Sequence, residues 1–205
     1  MEKNSLIVFA RNPEWGKVKS RMASRTSKNF AFHCYHYLLT HTLATAMKVQ
    51  GKKSVFYSDF IPEDQPDSLF ENRLQKGADL GERLQNAFTE ALQKYEKVIV
   101  IGSDCLELDE ETIEKAFSYL DQVKIVLGPA HDGGFYLLGM KEMNPSLFLN
   151  KSWGTSSVFR ETMEDINKQR LSYALLKPLH DVDFYEDLPS FVAEKIHDIS
   201  HYSRP

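Results

Sequence analysis

The sequence predicts an α/β fold: a mostly parallel, mixed sheet covered by helices on both faces, in three α/β/α layers. Short apolar runs alternate with longer amphipathic ones along the 205 residues. Some of the short runs, KVIVIG (97–102) above all, are apolar on both faces, as strands buried under helices on both sides must be. No repeat, low-complexity tract or long linker interrupts the alternation, so residues 1–205 read as a single domain.

SLIVFA (5–10) is the first strand. Residues 29–49 follow as a helix, with Phe30, Tyr37, Leu38, Thr42, Ala46 and Met47 at helical spacing on its inner face. KSVFYS (53–58) is a second strand. A helix over 79–95 sets Leu80, Leu84, Ala87, Phe88, Ala91 and Leu92 on one side. After the 97–102 strand, Asp109 can cap a helix that carries Glu110 and Glu111 in its first turn. Strands at 123–128 and 134–139 are separated by a tight polar loop, and their closeness allows a change of strand order. A helix beginning near Ser156 or Ser157, a strand at 171–176 and a helix near 186–197 complete the chain.

With 42% hydrophobic and 26% charged residues the composition is that of a globular protein, and the formal net charge of −4 argues against nucleic-acid binding. The first thirty residues depart from that balance: Lys3, Arg11, Lys17, Lys19, Arg21, Arg25 and Lys28 stand against Glu2 and Glu14. A basic patch in an acidic chain suits a small anionic ligand. Cys34 and Cys105 form no CxxC pair, and the apolar run 6–10 is too short for a signal or a membrane span. The expected setting is the cytoplasm, with no membrane insertion. The sequence leaves oligomeric state open, a homodimer included.

Ligands of such sheets bind beyond the carboxyl ends of the strands, so the chemistry is sought there. ARNPEWGKVKSR (10–21) follows the first strand. Pro13 and Gly16 suit an open turn, and Arg11, Lys17, Lys19 and Arg21 suit phosphate oxygens. It is not a Walker A loop, because Val18 follows Gly16-Lys17 and Arg11 stands where the upstream glycine is required. Asp104, after KVIVIG, is placed to ligate Mg²⁺ or Mn²⁺. Turn capping is the ordinary alternative, but Asp109 already has that task. GPAHDGG (128–134) brings His131 and Asp132 to the sheet mouth, with Gly133 and Gly134 allowing close approach of a ligand. HDVDFYEDL (180–188) offers Asp181 or Asp183 as a second metal carboxylate, Asp183 being equally suited to cap the last helix.

The segments LIVFARNPEWGKVKSR, QKGADLGERL, VIVIGSDCLEL, VLGPAHDGGFYLLG, WGTSSV and DVDFYEDL, in that order, resemble the small GT-A-fold glycosyltransferase-like proteins also known as radical-SAM/selenodomain-associated transferases. The likeness runs over nearly the whole chain and extends more distantly to phospholactate and molybdenum-cofactor guanylyltransferases. It implies the nucleotide-diphospho-sugar transferase (GT-A) fold, with phosphates held by Lys17, Lys19 and Arg21 and a base near Gln75, Gly77 and Gly81. It also implies a metal on Asp104 with Asp181 or Asp183, and an acceptor beside Asp132, Gly133 and Gly134. The chain departs from the pattern at Ser20, where KTR is usual, at Leu106, where proline commonly follows Asp-Cys, and at His131, where an acidic residue or alanine is frequent.

The expected function is a metal-dependent transferase using a nucleotide-activated donor and a small-molecule acceptor, glycosyltransferase-like with an NDP-sugar. The alternatives are a nucleotidyltransferase that joins an NTP to a phosphorylated metabolite with release of pyrophosphate, and a nucleotide-binding regulatory module without turnover. In the catalytic readings Asp104, Lys17 and Arg21 carry the chemistry.

Overall fold

The structure is a computed structural model that describes residues 2–63 and 69–202. Seven strands form one sheet: Glu2–Ala10 (β1), Lys52–Tyr57 (β2), Glu71–Leu74 (β3), Tyr95–Ile101 (β4), Ile125–Pro129 (β5), Phe135–Met140 (β6) and Tyr173–Leu175 (β7). Their order is β3-β2-β1-β4-β6-β5-β7. All run parallel except β6, which lies antiparallel between β4 and β5. A two-strand reversal at 125–140 produces this inversion, because a short loop can join only antiparallel neighbours.

The helices are Ser20–Ala23 (α1), Lys28–Lys48 (α2), Leu80–Leu92 (α3), Glu110–Tyr119 (α4), Val158–Lys168 (α5) and Ser190–Tyr202 (α6). Period-two alternation in the central strands sends side chains to both faces. Leu6 and Val8 of β1 and Ile99 and Ile101 of β4 join a core with α2 and α4. Ile7, Val98 and Val100 join another with α3 and α5. A third core unites α1, α2 and α6 through Met22, Phe30, Cys34, Leu38, Val192 and Ile196. This is the three-layer α/β architecture that the alternation of runs predicts. Among the described residues, no helix is long and apolar enough to cross a membrane.

Several expectations change. β3, with the sequence ENRL, carries no apolar alternation. It is an edge strand with no fully buried side chain, so patterning gives it no signal. α2 buries two adjacent stripes, one toward the sheet and one toward α6, and a single-stripe reading misplaces its face. Met47 is exposed and Tyr37 only half-buried, while Tyr35, Leu39 and Cys34 are inside. Leu80, the first residue of α3, is 43% exposed rather than inward. Asp183 caps no long helix: α6 begins at Ser190, and the intervening 3-10 turn is held by Asp187, whose carboxylate accepts from the N–H groups of Asp183 and Phe184.

Asp109 does cap α4, accepting from Thr112 N–H at 2.8 Å. Asp109→Ala should lower unfolding stability by about 1 kcal/mol in urea titration. It should leave ligand binding unchanged, because Asp109 is outside the cavity described next.

Candidate functional site

A cavity of about 470 Å³ opens at the carboxyl ends of the parallel strands. Five segments build most of it: 11–21 after β1, 102–105 after β4, 130–135 leading from β5 into β6, 153–158 after β6, and 176–183 after β7. Backbone hydrogen bonds lock these loops together. The Val182 N–H donates to the Asp104 carbonyl at 2.9 Å, and the His131 N–H to the Leu179 carbonyl at 3.0 Å. A parallel bridge between Ala130 and Leu179 continues the β5–β7 pairing outward, which carries Asp181 toward Asp132.

Lys19 is the centre of the charged wall. Its ammonium is 2.9 Å from Asp104 Oδ2 and 3.6 Å from Asp183 Oδ1, and it donates to the Val182 carbonyl at 2.6 Å. Its side chain is 5% exposed. The residue adopts a left-handed backbone (φ 48°), which swings the side chain back under the loop just before α1. Burial works to lower the lysine pKa, but the charge and hydrogen bond of Asp104, then the charge of Asp183, outweigh it and hold the ammonium above its usual value. Arg21 bonds the other oxygen of Asp183 at 2.8 Å while remaining 61% exposed. Arg11 is fixed through its backbone: the Tyr35 hydroxyl accepts from its N–H at 2.8 Å and donates to its carbonyl at 2.9 Å.

The sequence-derived candidates divide. Arg11, Lys19, Arg21, Asp104, Asp132, Gly134, Asp181 and Asp183 line the cavity together. Lys17 turns outward to Glu14 at 2.8 Å, 70% exposed, and Gly16 forms the turn with φ 77°. Gln75 Nε2 donates to the carbonyls of Ala10 and Phe56, tying the ends of β1 and β2. Gly77 (φ 146°) lies against the backbone at the start of α3, where a Cβ would come within 2.7 Å of Arg83 N. Gly133 packs on Ser156, whose carbonyl would be 2.1 Å from an added Cβ. His131 stacks on His180 at 3.9 Å, and His180 in turn meets Glu107. None of these seven, Gly81 included, is among the cavity-lining residues.

Other lining residues carry no role in the sequence reading: Ser20, Tyr35, Leu80, Phe135, Trp153, Thr155 and Val158. Nothing in the residue pattern flags Tyr35, a core-like aromatic in a helix, whereas a tryptophan beside glycine in WGT is a signal that was available. Asn12 is a hidden organiser. Buried at 3% exposure, it accepts from Asp59 N–H at 2.8 Å and donates to the Phe60 carbonyl at 2.7 Å, pinning the 11–21 loop to the end of β2. The two thiols are buried, and that burial pushes both up to about 12, the environment of structural rather than reactive cysteines.

Asp104, Asp132, Asp181 and Asp183 give the cavity an excess of carboxylate over cation at its inner end. Burial first, and then the charges of Asp104 and Asp132, push the Asp181 carboxyl up to about 7, with Lys19 pulling the other way. The donor set is oxygen-only, as hard divalent cations prefer. Among the described residues no three His, Cys, Asp or Glu side chains form a ready metal cluster. The residues fit a cation that arrives with phosphate oxygens and takes one or two carboxylates from the protein, which is how Mg²⁺ is usually held.

The Asp181 carboxyl has a direct consequence for stability. Its folded pKa of about 7 exceeds the unfolded value of 3.8, so folding takes up a proton between those limits. The group is free of penalty below about pH 4, and its contribution is lost as pH rises through about 7. In chelator, Asp181→Asn should therefore be more stable than the parent by on the order of 1–3 kcal/mol at alkaline pH. The difference should close as pH falls toward 4, as measured by urea unfolding across pH.

Solved structures place this geometry in a known architecture. A protein of Desulfovibrio desulfuricans G20, provisionally described as a nucleotide-diphospho-sugar transferase, superposes with a TM-score of 0.86 at 25% identity over 98% of this chain and 97% of its own. The inositol-1-phosphate CTP transferase of T. maritima matches with a TM-score of 0.60 at 16% identity, over 99% and 98%. Rv0371c of Mycobacterium tuberculosis H37Rv, solved in complex with manganese, matches with a TM-score of 0.53 at 11% identity, over 91% and 96%. The chain thus has the fold of nucleotide-diphospho-sugar transferases and nucleotidyltransferases. No curated protein sequence matches it significantly. A family model described as "Uncharacterized protein conserved in bacteria (DUF2064)" matches residues 41–155, more than half of the chain, and the chain belongs to that family.

Proposed function

We propose that this protein is a single-domain, metal-assisted transferase that acts on a nucleotide-activated donor, glycosyltransferase-like with an NDP-sugar. The observation that carries the reading is the shared cavity. Arg11, Lys19 and Arg21 come from one loop, and Asp104, Asp181 and Asp183 from two others. Cations beside carboxylates in one strand-end crevice are what a metal–diphosphate demands: positive side chains for the phosphate oxygens and carboxylates for the ion. The radical-SAM/selenodomain-associated transferase resemblance and the D. desulfuricans likeness support it.

In this reading Asp104, with Asp183 or Asp181, would hold Mg²⁺ or Mn²⁺, which would supply charge neutralisation at the leaving diphosphate. The protein's own contribution is positional. Lys19 and Arg21, both paired with cavity carboxylates, would contribute positive charge toward phosphate oxygens, Arg21 from a solvent-facing position. Asp132 and Gly134 line the acceptor side, where the Asp132 carboxylate is available to receive a proton from an attacking hydroxyl. Lys17, Gly16, Gln75 and Gly77 shape the loops around the donor, and His131 and Gly133 support the acceptor loop.

A second reading, nucleotidyl transfer, is favoured by one detail. Three basic side chains line the cavity, which suits a triphosphate better than a diphosphate. Release of pyrophosphate from an NTP and a sugar or polyol phosphate separates the two.

The test is thermal denaturation with NDP-sugars and NTPs, with and without Mn²⁺. A metal-dependent rise in melting temperature is expected for at least one nucleotide. Asp104→Asn should abolish the metal-dependent part while keeping the fold, and unchanged metal–nucleotide affinity in that variant would refute the assignment. Arg21→Ala should weaken nucleotide binding about tenfold or more, the size of a lost charge-assisted hydrogen bond. The weakening should shrink at high salt in isothermal titration.

A further inference from the structure

The cavity has a second wall that the charged groups do not explain. Leu80, Phe135, Trp153 and Val158 line it. The Trp153 indole meets Phe135 edge to face, with centroids 6.2 Å apart and planes at 83°. On its other side the indole is seated on the first turn of α3. A Cβ at Gly81 would come within 2.2 Å of Trp153 Nε1 and 2.6 Å of the Phe148 carbonyl, so glycine there leaves room for the ring. Beside it Leu80 stays 43% exposed. Trp153 and Phe135 back onto the α3/α5 core, and with the uncovered Leu80 they give the polar crevice an apolar wall of the kind that lines ligand pockets.

Topology says which part of a ligand would lie there. In the strand order β1-β4-β6-β5, the Arg11–Arg21 loop belongs to the β1 side and Asp104 stands at the end of β4. Phe135 opens β6 directly after the Asp132–Gly134 turn, and Trp153, in the segment between β6 and α5, packs on it. In the transferase reading the Asp132 side takes the non-nucleotide group, so the indole beside it faces that group.

We infer that Trp153 is the platform for the sugar ring of the donor, with Gly81 as the seat that fixes the indole. The inference rests on the transferase reading and extends it to a substrate class. A pyranose ring presents an apolar C–H face and a hydroxyl edge. The indole takes the face and leaves the hydroxyl edge to the polar groups of the same cavity. Gly81 then acts through Trp153 rather than by touching the base.

The chain has two tryptophans, so Trp15→Phe leaves Trp153 as the sole indole reporter. That protein is titrated in Mn²⁺ with UDP, GDP, ADP, CDP and TDP, each alone and as its glucose or mannose conjugate, with melting temperature and emission both recorded. For the nucleotide that binds, the NDP-sugar should shift Trp153 emission beyond free NDP. Trp153→Ala should weaken the NDP-sugar about tenfold, and Trp153→Phe much less, with NDP affinity held within about twofold. An emission change complete with NDP alone, or equal losses for NDP and NDP-sugar in Trp153→Ala, would overturn the inference and leave the transferase reading standing. No melting response to any NDP or NDP-sugar would overturn both.

Discussion

The site depends on one buried ammonium. Lys19 joins three loops that are far apart in sequence: its own, the Asp104 loop after β4, and the 181–183 segment. A lysine so enclosed is stable only when paired, because stripping water from an ammonium costs more than any single weak contact returns. Asp104, Asp183 and the Val182 carbonyl together meet that demand. The carboxylates are held in place by the cation, and the cation by the carboxylates. This mutual constraint gathers the charged wall before any ligand is present.

In the proposed reading that arrangement suits exchange: an ion on Asp104 would compete with Lys19, and phosphate oxygens would be the alternative partner of the ammonium. Asp181, close by, is raised toward neutrality first by its burial and then by the charges of Asp104 and Asp132, with Lys19 opposing them. Carboxylates around Lys19 and a solvent-facing arginine on Asp183 are a charge pattern that, in the proposed reading, a metal–phosphate group would complete.

The opposite wall is organised by packing instead of charge. Gly81 gives up a side chain so that an indole can lie on α3, and Leu80 is left uncovered beside it. The resemblance to known transferases put Gly81 near a base; the structure shows its immediate neighbour to be Trp153. The same distinction holds for Gln75, whose amide bonds the ends of β1 and β2.

The sequence by itself determined the layered α/β fold, the two closely spaced strands near 125–140 that allow a change of strand order, and the strand ends at which candidate site residues stand. These follow from periodicity, and periodicity is a local property that strands and helices buried on known faces must display. It also singled out Lys19, Asp104, Asp181 and Asp183, because charged residues after apolar strands have few structural duties. Only the tertiary structure decided which of them meet. It turned Lys17 out to Glu14 and drew Lys19 in to Asp104 and Asp183, although only Val18 separates the two. It left β3 without a sequence signal, since an edge strand need bury little. It placed Trp153 against Gly81, a contact between residues 72 positions apart that no local pattern encodes.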